Sequence, residues 1–289
     1  MLRSSNPILN RKQAFAPAQP GAHQGYPQAG YGEPQGYAPG YGQPGYGQPG
    51  YQQYPGQVPQ PPQQAQGPMT IDDVIAKSAV LFVVMMAVAA GTFLFMPLTA
   101  ALGTAAVAAI AGFVMSMIVA TRARVSPALT IVFSVVEGLF VGGFSKLFEV
   151  YYPGIVVQAI FGTFVAAALT FAAYKFLRVR VSSTVAKIVI IAMIAVAGAS
   201  LLQFALSFAG IHLGFYAGVT GRVGMLAWGF SILCIVLAVF SLIMDFQAIE
   251  SGVRNGAPAS ESWRAAYGLL VTMVWLYINI LRVLSYIRR

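Results

Sequence analysis

The stretch SILCIVLAVFSLIMDFQAIESG, residues 231–252, decides the fold. From Val223 to Met244 no side chain is charged, and then Asp245 follows. An apolar run of about 20 residues is what crosses a hydrocarbon core roughly 30 Å thick. A carboxylate in that setting costs several kcal/mol, so it marks a helix end or a functional position.

Working outward, the same pattern recurs along the chain. Seven apolar runs are expected to span a membrane, at about 74–96, 98–120, 127–148, 155–177, 187–209, 223–246 and 265–287. The breaks between them, such as TRARVSP, EVYYPG, RVRVSS and ESGVRNGAPASESWR, hold Pro, Gly, Ser or charge. Pro97 alone separates the first two runs, which together are too long for one span and must form a hairpin. Composition agrees: 57% of the 289 residues are hydrophobic and 9% charged, against about 25% charged in a soluble domain, and mean hydropathy is +0.70. The expected fold class is an all-α membrane protein, a seven-transmembrane-helix bundle occupying residues 69–289.

Residues 1–68 read differently. Repeats such as GYGQPGYGQPGYQQYPGQ are rich in Gly, Pro, Gln and Tyr, and Glu33 is the only charge between residues 13 and 68. Such a segment lacks the aliphatic side chains that offset ordering entropy, so a disordered tail is expected. It serves as a flexible solubilising extension or self-associates weakly through Tyr stacking. The start, MLRSSNPILNRKQAFAPAQP, has basic residues but no apolar core, so no cleaved signal peptide is expected.

Lysine and arginine in short loops set orientation. With the N-terminus cytoplasmic, the inner flanks collect Lys77, Arg122, Arg124, Lys175, Arg178, Arg180, Lys187, Arg254 and Arg264, and the outer ones Lys146, Arg222, Arg288 and Arg289. That favours a cell-membrane protein with its N-terminus inside and, for seven spans, its C-terminus outside. A re-entrant seventh segment would instead return the C-terminus inside. The excess of 17 basic over 8 acidic residues lies in these gaps rather than in a patch, so nucleic acid is not expected as a partner. Cys234 is the only cysteine and lies inside a run, which excludes an intrachain disulfide. Small residues at helical spacing, Gly138 with Gly142, Ala87 with Gly91 and Ala108 with Gly112, suit close helix contact.

Among the charged residues inside spans three stand out: Glu137, Asp245 and Arg282. Glu137 is mid-span and shares a helix face with Thr130, Ser134 and Ser145; it lines an ion pathway or organises packing by a hydrogen bond. Asp245 shares a stripe with Ser231, Cys234 and Ser241 near the cytoplasmic end of its span, where it faces a pathway or water. Thr272, Asn279, Arg282 and Tyr286 form one stripe on the last span, and Arg282 is expected to snorkel toward the outer headgroups. Ser200, Gln203 and Ser207 make a further polar stripe. No HExxH, GxSxG or phosphate-loop motif is present. His23 lies in the tail and His212 in an outer loop, so no enzyme, cofactor or fixed metal site is expected.

MTIDDVIAKSAVLF, EGLFVGGFSKLFEVYYPGIVVQAIFGTF, LIMDFQAIESGVRNGAP and WRAAYGLLVTMVWLYINILRVLSYIRR, with the SSNPILNR start, resemble the Bax inhibitor-1/YccA superfamily, in particular its actinobacterial branch. The resemblance covers Met69 to Arg289. It implies six helices around a central seventh and a pH-sensitive calcium leak, with calcium ions or protons as permeants. In relatives of this kind two aspartates, one at the end of the sixth span and one within the seventh, share a proton. Asp245 matches the first, whereas Asn279 stands where the pattern LYxDxxxxxL has the second. A lone Asp245, with the Asn279 amide facing it as a donor, is expected to gate less steeply near neutral pH, with Glu137 as a second acid on the pathway. The resemblance also implies the competing reading, a non-conducting protein that regulates a membrane-bound AAA protease.

Overall fold

The computed structural model describes residues 67–122, 124–207, 209–211, 213–220 and 222–289. Residues 1–66 of the expected tail, with Glu33 and His23, and His212 fall outside them. Seven helices follow in order: α1 (Ile71–Phe95), α2 (Leu98–Thr121), α3 (Pro127–Tyr151), α4 (Ile155–Phe176), α5 (Ser183–Ser207), α6 (Met225–Arg254) and α7 (Glu261–Ile287). All seven are long and apolar enough to cross a membrane. The re-entrant alternative fails, because α7 is one continuous helix of 27 residues, about 40 Å long. The first residues of α1 and the last of α7 therefore mark opposite ends of the bundle, called here the N-side and the C-side.

The helix ends follow local chemistry. Thr70 caps α1 through the Asp73 N–H, and Pro97 precedes the first turn of α2, where a missing N–H is harmless. The Lys146 ammonium donates to the carbonyls of Phe93 and Met96, satisfying the last turn of α1 from α3. Glu149 does the reverse for α4, accepting from Gly154 N at 2.5 Å and Val156 N at 3.1 Å.

The helix of the sixth run extends beyond the expected span. The helix continues eight residues past 246 to Arg254 and stops where Gly256 takes φ 65°. There Ala257 N donates to Gly252 O and Gly256 N to Val253 O, the paired bonds of a Schellman cap. The apolar run ended at Asp245, but FQAIESGVR still forms helix, held by Glu250. That carboxylate pairs with Arg254 and Arg180, each at 2.9 Å, and accepts from the Tyr174 hydroxyl.

α7 packs against α1, α3, α4 and α6 and is the most buried of the seven, so it is the central helix. α2 packs chiefly on α3, and α5 chiefly on α6, leaving Ile110, Phe113, Ile188, Ile191 and Ile194 exposed toward lipid. The main core joins Leu81, Phe133, Phe148, Ile155, Leu270 and Leu281 across α1, α3, α4 and α7.

Glycines on α3 set its two closest contacts. A Cβ on Gly138 or Gly142 would lie 2.6 Å from Met85 O or 2.5 Å from Ala89 O on α1. One on Gly143 would lie 2.3 Å from Ala101 O on α2. The Gly138/Gly142 pair thus works as expected, while Gly91 faces open space and contributes no close contact. Gly112 is in ordinary contact range of the Glu137 carboxylate.

Candidate functional site

The polar residues of the bundle interior gather along α7, because the central helix has no lipid-facing side on which to place apolar residues alone. Asp245 projects from α6 toward this helix. Its Oδ2 accepts a hydrogen bond of 2.7 Å from Thr272 Oγ1, and Ser241 Oγ lies 3.4 Å from the same hydroxyl. Gly268, one turn before Thr272, leaves room for Oδ1, which a Cβ there would approach to 3.6 Å. The carboxylate makes no salt bridge among the described residues. Nine residues of α6 follow Asp245 before the helix ends, so it lies about 13 Å in from the N-side rather than at a helix end.

Glu137 sits ten residues into α3, about 15 Å from the same side. Its Oε2 faces Gly112 of α2, and it makes neither a hydrogen bond nor a salt bridge among the described residues. Phe133, one turn earlier, meets the Tyr267 ring edge-on at 4.8 Å, and the Tyr267 hydroxyl is engaged by Ser116 at 2.9 Å. The two acids therefore stand at similar depth, on α3 and α6, and both of these helices pack on α7. The rest of the Glu137 face is satisfied elsewhere. Thr130 and Ser134 bond carbonyls of their own helix, and Ser145 pairs with the Tyr277 hydroxyl at 2.7 Å.

Asn279 does not face Asp245, contrary to expectation. It lies seven residues beyond Thr272, about 10 Å farther along α7. Its Nδ2 donates to Trp275 O at 2.8 Å within the helix, and its buried Oδ1 has no donor. Thr272 holds the place that the amide was expected to take. Arg282 does not snorkel outward either: its guanidinium stacks 3.6 Å from the Tyr216 ring centroid and 5.4 Å from that of Phe144. Tyr216 belongs to the α5–α6 connection, which the Ser200 and Gln203 stripe tethers. Ser200 Oγ lies 2.8 Å from the Tyr216 hydroxyl, and Gln203 Oε1 accepts from Phe215 N at 3.1 Å. Ala217 N donates to the Tyr286 hydroxyl, and Tyr152 donates to Val219 O, so this connection folds over the C-side.

Thr272 and Tyr216 were not singled out as partners from the sequence. Thr272 was visible on the α7 stripe, but nothing in the sequence indicated which acid it meets. Tyr216 lies in a break between apolar runs, where helical spacing gives no face to read. Among the described residues, no three His, Cys, Asp or Glu side chains converge on one point.

The chain matches the Bax inhibitor 1 like family over residues 6–289, and it belongs to that family. No curated protein matches the chain.

Proposed function

We propose that this Bax inhibitor 1 like membrane protein passes cations, calcium among them, down their gradient, with Asp245 and Glu137 as the acidic stations beside α7. The observation that carries the reading is the pair of carboxylates about 13–15 Å inside one end of the bundle, neither with a cationic partner among the described residues. A carboxylate kept within a membrane span costs several kcal/mol, which makes Glu137 and Asp245 functional candidates. Under this reading the N-side, with the larger share of Lys and Arg, faces the cytoplasm of a cell membrane.

The gate is the contact between α6 and α7 at Thr272 and Asp245. While Thr272 donates, the carboxylate is held against the central helix, and a small displacement of α7 frees it toward a passing ion. Protons act on separate carboxylates rather than on a pair sharing one proton, so the leak responds to pH as single sites do, without the two separated steps of a coupled pair.

The test is calcium flux from liposomes holding purified protein, read with an enclosed indicator for wild type, Asp245→Asn and Glu137→Gln. Flux that falls at least several-fold in both variants supports the reading. A wild-type protein that passes no calcium, while binding a membrane-bound AAA protease, would replace it with the regulatory role.

A further inference from the structure

We infer that a second site, independent of the leak, binds an anionic phospholipid in the cleft between α2, α3, α5 and α7, with the lipid phosphate on Arg282. The cleft is a cavity of about 460 Å³ beneath Tyr216. Because α2 and α5 pack chiefly on other helices, it opens sideways between them, past the exposed side chains of Ile110, Phe113 and Leu201. Its occupant thus arrives from the bilayer and is apolar over most of its length.

The inner wall has a different character. Arg282 makes no salt bridge among the described residues; its neighbours there are the Tyr216 ring and hydroxyl, the Phe144 ring and the Cys234 thiol, none of them an anion partner. Asn279 lines the same wall, is 1% exposed and keeps its Oδ1 without a donor. An unpartnered buried acceptor one turn from an uncompensated cation asks for a ligand that brings both an anion and a hydroxyl or amine. Depth selects the lipid. Arg282 lies five residues before the end of α7, about 8 Å in from the C-side, which is where a phosphate and its glycerol sit in that leaflet. Acyl chains leaving that point run toward the membrane centre along Ile110, Phe113 and Val196. Charge favours an anionic headgroup: Arg222, Arg288 and Arg289 also belong to this end, and its one acid, Glu149, is occupied capping α4.

The test offers full-length protein in mild detergent an equimolar mixture of dioleoyl-phosphatidylglycerol and dioleoyl-phosphatidylcholine and counts retained lipid by native mass spectrometry. Wild type is expected to retain phosphatidylglycerol about fivefold over phosphatidylcholine, the contribution of one basic side chain to an anionic lipid. Arg282→Gln should bring the ratio near one, and Arg282→Lys should keep most of it. Equal retention in wild type, or an unchanged ratio in Arg282→Gln, overturns the proposal. If Arg282→Gln does not fold, Ala109→Phe decides, since it fills the cleft from α2 while leaving Arg282 in place. Loss of retained phosphatidylglycerol in that variant supports the site, and undiminished retention overturns it. Inorganic phosphate that displaces the lipid from wild type would assign the cleft to a soluble anion and overturn the lipid assignment.

Discussion

Gly143→Ala should loosen the protein more than any other single added methyl on α3. The new Cβ would stand 2.3 Å from Ala101 O and 2.8 Å from Ala105 Cβ, about 1 Å short of ordinary contact. The obstacle is α2 backbone, not the end of a flexible side chain, so the two helices must separate. Such a gap forfeits a quarter to a half of the dispersion between the atoms it parts. Forced overpacking of this kind costs about 1–3 kcal/mol. The control lies one helix away, since a Cβ on Gly91 meets nothing within 4 Å. Unfolding of both variants in a mixed-micelle SDS titration, followed by circular dichroism, separates the two cases. Gly143→Ala should unfold at clearly lower SDS mole fraction, and Gly91→Ala at or slightly above the wild-type midpoint. Equal midpoints for the two variants would show that α2 and α3 do not approach through Gly143.

Three other outcomes follow from the same geometry. Thr272→Val removes the only hydrogen-bond donor to Asp245 among the described residues, a bond to a charged group worth about 1.5–3 kcal/mol. It should lower stability by that order and raise basal calcium flux in liposomes; an unchanged leak would separate this bond from gating. Asn279→Asp places a carboxylate three residues from Arg282 but about 10 Å along the helix from Thr272. It should pair with Arg282 rather than share a proton with Asp245, leaving the flux-versus-pH profile unchanged; a second titration step in that profile would refute that placement. Lys146→Met strips two acceptor contacts from the end of α1 and should cost up to about 2 kcal/mol, read in the same SDS titration.

The seven crossings were legible because span length is imposed by the bilayer, and Pro97 marked the α1–α2 corner by its missing N–H. The sequence left open what lies sideways. A helical stripe states which residues share a face but not which neighbour that face meets. Asn279 and Asp245 both stood on polar stripes, yet a two-turn offset hands Asp245 to Thr272 and leaves Asn279 bonded to its own helix. Ala87 and Gly91 had the same spacing as Gly138 and Gly142, but only the latter pair meets backbone. Hydrophobicity marks the part of the sixth helix that meets lipid, whereas the helix itself runs on, continued by Glu250 and its partners. Arg282 was read by its distance from a helix end, a measure that does not include an aromatic ring arriving from the α5–α6 connection.

The arrangement along α7 bears on how such a bundle stays closed. Acids stand near its N-side half, at Asp245 on α6 and Glu137 on α3, while its C-side half carries Arg282 under Tyr216. Under the proposed cation path, a cation drawn in from the N-side by the carboxylates would meet a positive guanidinium on the way out, in surroundings where charges are poorly screened. A closed state would then be held by two different devices, a hydrogen bond that pins an acid to the central helix on one side and a cation under a tethered aromatic on the other. Opening would require both to yield, and because both act on α7, a single shift of that helix would release them together.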